Sequence, residues 1–143
     1  MIIAVGIDMV EIARVERLLA SKGDHALRKL FTDAERTYAQ SKPRPALHFA
    51  ARVAAKEATY KALRGTHQAR AIGWRELEVT LEWDGAPTLL LHGGAERRAV
   101  ELGVTRVHLS LTHTASSAAA VAVLEGPGTP PETENYSSSG AQK

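Results

Sequence analysis

The sequence predicts an α+β domain in which a mostly antiparallel sheet packs against one long central helix. Three observations lead to this prediction. The chain begins with the apolar, β-branched segment "IIAVGI", which is typical of a buried strand. Residues 46–63 are rich in alanine, the best helix former. Two later pairs of strand-like segments are each joined by a short turn, which indicates β-hairpins.

The first half of the chain is expected to be mainly helical after its opening strand, residues 2–7. Asp8 and Glu11 resemble a capping box, so a helix is predicted to start at Asp8. Shorter helices are expected in "GDHALRKLF" and "TDAERTYAQ". The prolines of "SKPRP" predict a loop before the long helix, and Gly65 is placed to end that helix.

The second half is expected to supply most of the sheet. "ELEVTLEW" and "TLLLH" flank the turn "DGAP" and predict a hairpin. "GAERRAVELG" predicts a short amphipathic helix closed by Gly103. "RVHLSLTH" and "AAAVAVLE" predict two more strands joined by a tight turn at residues 115–117.

One domain, residues 1–125, is expected to hold the whole core. The remaining residues, 126–143, are rich in proline, glycine, serine and threonine. Such a segment buries too little apolar surface to offset the entropy of ordering. A disordered C-terminal tail is therefore predicted.

Composition excludes several classes of function. The chain has 143 residues, 44% hydrophobic and 24% charged, with a net charge of +2. This near-neutral balance argues against nucleic-acid binding. The absence of cysteine excludes disulfides and a cysteine nucleophile. No apolar run is long enough to span a bilayer, and the N-terminus is a poor signal peptide, so the cytoplasm is the predicted compartment.

The long helix carries four ionisable side chains among its alanines. Arg52 and Lys56 are one turn apart, as are Glu57 and Lys61, so each pair shares a face. Ordinary ion pairs on a solvated surface are one interpretation. The other starts from the small residues around them, which let another backbone approach the helix closely. Charges beside such an approach would line a partly buried site.

Polar residues at the ends of two strands are further candidates. Asp8 follows the first strand directly, and a helix cap would explain it. Alternatively, Asp8 could converge with a carboxylate of the long helix on a hard cation, since two carboxylates plus phosphate oxygens commonly hold Mg²⁺. His113 ends a later strand. It is either a residue of the site or an ordinary histidine of the surface or core. A basic N-terminal helix containing Arg14 and Arg17 is either a solvated face or a dock for an acidic partner.

Three segments together resemble one family, the holo-[acyl-carrier-protein] synthases, which are small 4′-phosphopantetheinyl transferases. They are "GIDMVEIARVERL", "FAARVAAKEATYKAL" and "HLSLTHT", and "LFTDAERTYA" adds a fourth. The resemblance runs in order from about residue 2 to residue 125. It implies the 4′-phosphopantetheinyl transferase fold and a homotrimer with the coenzyme in a cleft between two protomers.

The resemblance also implies a reaction. The enzyme moves the 4′-phosphopantetheine arm of coenzyme A onto a serine of acyl carrier protein and releases adenosine 3′,5′-bisphosphate, for fatty-acid or polyketide synthesis. By position, the metal ligands are Asp8 and Glu57, with Mg²⁺ as the metal and Mn²⁺ as the alternative. Asp8, Glu57 and Lys61 are the catalytic residues implied. Arg14 and Arg17 would meet the carrier protein.

The coenzyme would be held by residues at the matching positions of the family. These are Arg44, Arg52, Lys56, Lys61, Gly65, His113 and Thr114. Tyr60 departs from the family, which usually has a small serine-like residue there, and would narrow the pocket or stack on the coenzyme. Two other hypotheses are a non-catalytic trimeric module that binds a nucleotide or an acidic protein, and a basic RNA-binding domain.

Overall fold

The computed structural model describes residues 1–63 and 71–127, which form five strands, four α-helices and a short 3-10 helix. In chain order these are β1 (Ile2–Glu11), α1 (Ile12–Leu30), α2 (Asp33–Gln40), α3 (Pro45–Leu63), the 3-10 helix (Trp74–Glu76), β2 (Leu77–Leu81), β3 (Pro87–Leu91), α4 (Gly93–Glu101), β4 (Arg106–His113) and β5 (Ser117–Glu125). The predicted mixture of helices and antiparallel strands is confirmed.

Two antiparallel sheets carry the fold. One has the strand order β1-β5-β4, and the other is the hairpin β2-β3. In the larger sheet Asp8 is opposite Ala120, and Ala120 is opposite Leu111. Because side chains alternate between faces, the even-numbered residues of β5 point inward and are buried, from Ala118 to Leu124. This inner face packs on α3.

Small residues allow α3 to lie very close to the larger sheet. Ala54, Ala55 and Ala58 are fully buried. A Cβ added to Gly6 of β1 would lie 1.8 Å from the carbonyl oxygen of Ala58, so only glycine fits there. The backbone that the alanines admit is therefore β1 of the same chain. The close approach predicted from these small residues is therefore made within one chain, by its own sheet.

The predicted start of the first helix is also wrong. Asp8 lies inside β1, which continues to Glu11, and α1 begins at Ile12. Glu11 is the N-cap residue and makes no capping hydrogen bond through its side chain. Pairing of β1 with β5 as far as Glu11 and Ser117 outweighs the local capping pattern. The carboxylate of Asp8 is thus left for another role.

Other helix boundaries follow the sequence closely. The helix predicted in "TDAERTYAQ" is present as α2, and it begins with a capping box in which Thr32 and Glu35 each accept from the other's backbone N–H. The helix α1 includes the segment expected as a separate short helix, and the two parts meet at a kink where Gly23 has φ 51°. α1 and α3 both span 19 residues, and α3 runs through without such a kink.

Two of the sequence predictions concern residues that lie outside the described ranges 1–63 and 71–127. Gly65, expected to end α3 and to bind the coenzyme, is among them, as is the tail from residue 128. Gly126, the first residue of the predicted tail, exchanges two backbone hydrogen bonds with Met1, at 2.8 and 3.0 Å. The ordered contacts therefore continue one residue past the predicted boundary. Within residues 1–63 and 71–127, no helix has the length and apolar character needed to cross a membrane.

Candidate active site

Asp8 and Lys61 meet where β1 crosses α3. The ammonium Nζ of Lys61 donates to Asp8 Oδ1 at 2.8 Å and to the carbonyl oxygen of Ile7 at 3.1 Å. Asp8 points toward α3 because it shares the inner face of β1 with the buried residues Gly6 and Val10. The side chains of Lys61 and Asp8 are 41% and 19% exposed, so a ligand in solution can reach this ion pair.

Glu57 lies one helical turn before Lys61 and borders two cavities. We call the first, of about 410 Å³, the α1 cavity; its lining includes Arg14, Arg17, Val53, Glu57 and Trp74. The second, of about 330 Å³, is the Tyr60 cavity; Glu57, Tyr60, Ile72, Trp74 and Leu77 line it. Glu57 and Trp74 thus form a wall common to both cavities. Glu57 is therefore accessible from the cavity beside Arg14 and Arg17 and from the cavity beside Tyr60.

Other predicted residues surround a third cavity, of about 210 Å³, which we call the Arg52 cavity. It is lined by His48, Arg52, Pro87 and His113, among others. The guanidinium of Arg52 lies 4.3 Å from the centre of the Tyr38 ring, a favourable cation–π arrangement. Its Nε is buried without a hydrogen-bond partner among the described residues. An incoming acceptor such as a phosphate oxygen would satisfy that donor.

Burial shapes the electrostatics of the Arg52 cavity. Desolvation lowers the pKa of Arg52, although nearby Glu35 and Tyr38 oppose this shift. The pKa of the His48 imidazole is lowered first by burial and then by the charges of Arg52, Lys42 and His113. The cationic side chains of Arg52 and Lys42 close to this ring indicate an environment that favours anions.

Arg44 and Thr114 lie beside the turn that follows His113. Arg44 Nη1 donates to the carbonyl oxygen of Ala115 at 3.1 Å. The hydroxyl of Thr114 accepts from the backbone N–H groups of Ser116 and Ser117 at 3.3 and 3.1 Å. Both residues are exposed, so each remains accessible to a ligand.

Lys56 is placed differently from the prediction. Its side chain is fully buried, and Nζ donates to Glu35 Oε1 at 2.7 Å and to the carbonyl oxygens of Trp74 and Leu77 at 2.9 and 2.7 Å. All three N–H donors of the ammonium are occupied. Lys56 therefore joins α2, α3 and the 3-10 helix, and its ammonium has no N–H left for the predicted contact with the coenzyme.

The predicted residues fall into two groups within one chain. Asp8 and Lys61 form one group, with Glu57 one helical turn before Lys61, and Arg44, Arg52, His113 and Thr114 form the other. Of the three cavities described above, none is lined by described residues of both groups. Nor do the described residues assemble three or more histidine or acidic side chains around one point that could hold a metal.

Two aromatic residues of the site were missed from the sequence. Trp74 lines both cavities beside Glu57, and Tyr38 lies under Arg52. Each is an isolated aromatic in a polar segment, a weak signal by itself. Their roles depend on helix packing that brings α2 and the 3-10 helix against α3.

A family model for the 4′-phosphopantetheinyl transferase superfamily matches residues 4–123. The chain belongs to this superfamily. The resemblance found in the sequence is thereby confirmed. The holo-[acyl-carrier-protein] synthase of Koribacter versatilis is 43% identical over 125 residues, covering 87% of this chain and 99% of the relative.

Solved structures of the superfamily share the fold. The acyl carrier protein synthase of Mycobacterium tuberculosis is 35% identical with a TM-score of 0.65, covering 89% of this chain and 100% of that one. The holo-(acyl-carrier-protein) synthase of Bacillus anthracis, solved in complex with CoA (3′,5′-ADP), is 32% identical with a TM-score of 0.70, covering 88% of this chain and 98% of that one. Both support assignment of the phosphopantetheinyl transferase fold.

Proposed function

We propose that this protein is a holo-[acyl-carrier-protein] synthase, a transferase that moves 4′-phosphopantetheine from coenzyme A to a serine of apo-acyl carrier protein. The observation that carries the proposal is the accessible pair of Asp8 and Lys61 where β1 crosses α3, with Glu57 one helical turn before Lys61, in a chain similar to such synthases over nearly its whole length. Fatty-acid synthesis and the cytoplasm are part of this proposal.

The reaction breaks the phosphoanhydride bond of coenzyme A and forms a phosphoester bond to the serine. The serine oxygen attacks the phosphorus that carries the pantetheine arm, and the bond from that phosphorus to the leaving adenosine 3′,5′-bisphosphate breaks. The serine proton passes to the carboxylate of Glu57, our candidate for the general base. Charge grows on the leaving phosphate, and the Lys61 ammonium is suited to stabilise it. Asp8 holds that ammonium in place at 2.8 Å.

The donor set at Asp8 and Glu57 is suited to Mg²⁺. Both offer hard carboxylate oxygens on half-buried side chains, and phosphate oxygens of the substrate would complete the coordination. A bound Mg²⁺ would neutralise negative charge on the diphosphate. The chain's own contribution is to orient the two carboxylates and to place Lys61 beside them.

Transfer is expected to be visible as a change in the mass of the carrier protein. Apo-carrier protein incubated with this protein, coenzyme A and Mg²⁺ should gain about 340 Da, the mass of the phosphopantetheine group. EDTA should abolish the gain, and excess Mg²⁺ should restore it. Intact-protein mass spectrometry checks both results. No gain, under conditions in which a reference transferase works, would reject the function.

The carrier protein is proposed to dock on α1. Arg14 and Arg17 are exposed on this helix and line the cavity that reaches Glu57. Acyl carrier proteins would be attracted to such a basic face if, as the resemblance implies, they are acidic. The serine would then approach Glu57 from the α1 side.

A homotrimer is proposed as the active assembly. The outer face of β1 exposes Val5, Ile7 and Met9, at 58%, 65% and 70%, which is an apolar stripe suited to an interface between copies of the chain. The separation of the two groups of site residues also favours a site completed by a second protomer.

Replacing residues of this stripe is expected to dissociate the assembly. Wild-type protein should sediment at three times the chain mass of 15.4 kDa, and the double variant V5K/M9K at the chain mass, with transfer activity lost. Analytical ultracentrifugation measures the masses. Val100→Lys is the matched control, because Val100 is 72% exposed on α4 and should leave the trimer intact. An active wild-type monomer would contradict the proposal.

A further inference from the structure

His48 is a titratable side chain of the Arg52 cavity that the proposed reaction does not yet use. Its imidazole is half-buried and lines this cavity together with Arg52 and His113. The ring stands nearly perpendicular to that of Tyr38, with 5.7 Å between the ring centres, a favourable aromatic arrangement. His48 is therefore packed in place beside the cavity by a side chain of α2.

Basic side chains collect around the ring of Tyr38. The ammonium of Lys42 lies 4.6 Å from the ring centre and the guanidinium of Arg52 lies 4.3 Å from it. Attraction between each cation and the ring offsets part of the repulsion between them. With His48 against the same ring, two permanent cations and one imidazole share a single aromatic neighbour.

The described lining of the Arg52 cavity contains no carboxylate. The carboxylate that acts on Arg52 is the buried Glu35, and this group is already paired with the ammonium of Lys56 at 2.7 Å. Arg52 is only 3% exposed, and its Nε has no hydrogen-bond partner among the described residues. A buried donor in a surplus of positive charge suits a phosphate oxygen.

Coenzyme A has two places where a phosphate could meet these groups. Its diphosphate reacts, and we have proposed that it lies at Asp8, Glu57 and Lys61. Its other phosphate, on the ribose, takes no part in the reaction and leaves within adenosine 3′,5′-bisphosphate. The Arg52 cavity, of about 210 Å³, has room for one phosphate group, so the ribose phosphate is the group available to it.

A phosphate beside His48 would reverse the electrostatic balance at the imidazole. In the free protein, burial and then the charges of Arg52, Lys42 and His113 lower the pKa of His48, so the ring is neutral at pH 7. None of these causes is a carboxylate. A dianion next to the ring favours its charged form and raises the pKa again.

We propose that His48 is a binding residue for the ribose phosphate of coenzyme A and that its imidazole takes up a proton when this phosphate enters the Arg52 cavity. This inference rests on the proposed transferase function and identifies a further residue of that same site. The protonated ring donates an N–H to a phosphate oxygen. Arg52 supplies a permanent charge, whereas His48 supplies a charge that arises with the ligand.

Proton uptake gives the affinity a defined dependence on pH. The pKa of His48 is higher in the complex than in the free protein, so its contribution is complete below the free-state pKa. That contribution is lost as the pH rises through the bound-state pKa, by at most about tenfold in affinity per pH unit. The second ionisation of the phosphate itself, near about pH 6, acts in the opposite direction. A variant without the imidazole separates the two effects.

Isothermal titration calorimetry with adenosine 3′,5′-bisphosphate is the experiment. Titrations at pH 7 in buffers of different ionisation enthalpy give the number of protons taken up per ligand bound. Wild-type protein should take up about half a proton more than His48→Phe, which keeps an aromatic ring beside Tyr38. From pH 6 to pH 8 the wild-type Kd should rise about tenfold relative to that of the variant. If His48→Phe does not fold, His48→Asn carries the same expectation.

Two controls isolate the ribose phosphate and the imidazole. Adenosine 5′-monophosphate lacks the 3′-phosphate, and with this ligand the proton uptake of wild type and His48→Phe should be equal. His25→Phe removes an imidazole that is exposed on α1 and is not part of the described lining, so it should keep the wild-type uptake. A proton excess that persists with the monophosphate would overturn the assignment to the ribose phosphate.

The outcomes separate this inference from the function beneath it. Binding of adenosine 3′,5′-bisphosphate with equal proton uptake and equal pH dependence in wild type and His48→Phe overturns only the role of His48. Failure of the wild-type protein to modify the carrier protein, in the mass assay described above, rejects the transferase function itself.

Discussion

Glu57→Gln is expected to lower the rate of phosphopantetheine transfer by about 10²- to 10⁴-fold, the usual contribution of a general base. Glutamine keeps the shape of the side chain but cannot accept the serine proton or offer a negative charge to Mg²⁺. Glu57 is half-buried beside two cavities, so an isosteric amide should leave the packing of α3 intact. The loss is therefore expected in kcat rather than in stability.

The measurement is the initial rate of carrier-protein modification, followed by mass spectrometry, with thermal unfolding recorded for the same samples. Glu101→Gln is the matched control, because Glu101 lies exposed at the end of α4 and pairs with Arg98. It should keep the wild-type rate. A Glu57→Gln variant that turns over within a few-fold of wild type would remove Glu57 from the mechanism.

Lys56→Met is expected to destabilise the fold by about 3–5 kcal/mol, the cost of breaking a buried ion pair from one side. The ammonium is fully buried and joins Glu35 to the carbonyl oxygens of Trp74 and Leu77. Burial lowers the pKa of Lys56, and the neighbouring Glu35 carboxylate opposes that shift. Without the lysine, the partners that Glu35 keeps among the described residues are the backbone N–H groups of Thr32 and Val79.

Urea denaturation measures this loss as a lower midpoint with an unchanged slope. Glu35→Gln added to Lys56→Met removes the uncompensated charge and should recover part of the stability. Lys29→Met provides the control, since Lys29 is exposed on α1 and should change the free energy of unfolding by no more than about 0.5 kcal/mol. If Lys56→Met cost less than about 1 kcal/mol, the buried pair would not be what holds α2 and the 3-10 helix against α3.

Much of the secondary structure could be predicted because its signals are local. The capping box of α2, the alanine-rich α3 and the hairpin of β2 and β3 depend on residues that are neighbours in sequence. Failures occurred where a distant partner outweighed the local pattern. Asp8 and Glu11 have the spacing of a capping box, yet the pairing of β1 with β5 extends the strand past Asp8.

The candidate site also divides into features that local sequence predicted and features that depend on distant partners. Spacing on α3 put Glu57 and Lys61 on one face, and the family resemblance added Asp8, which the fold then brings to Lys61 at 2.8 Å. Neither spacing nor resemblance distinguished Lys56, which is buried, from Lys61, which is exposed. That difference depends on what packs over each position of the helix.

The sequence by itself determined the family, the order of helices and strands, and the residue types available for phosphoryl transfer, because these follow from local pattern and matching motifs. Only the tertiary structure decided which charges face solvent and which lie in the core, and it revealed Trp74 and Tyr38 as parts of the site. The physical reason is that burial and pairing arise between segments far apart in the chain. A helix has the same periodicity whichever of its faces the sheet covers.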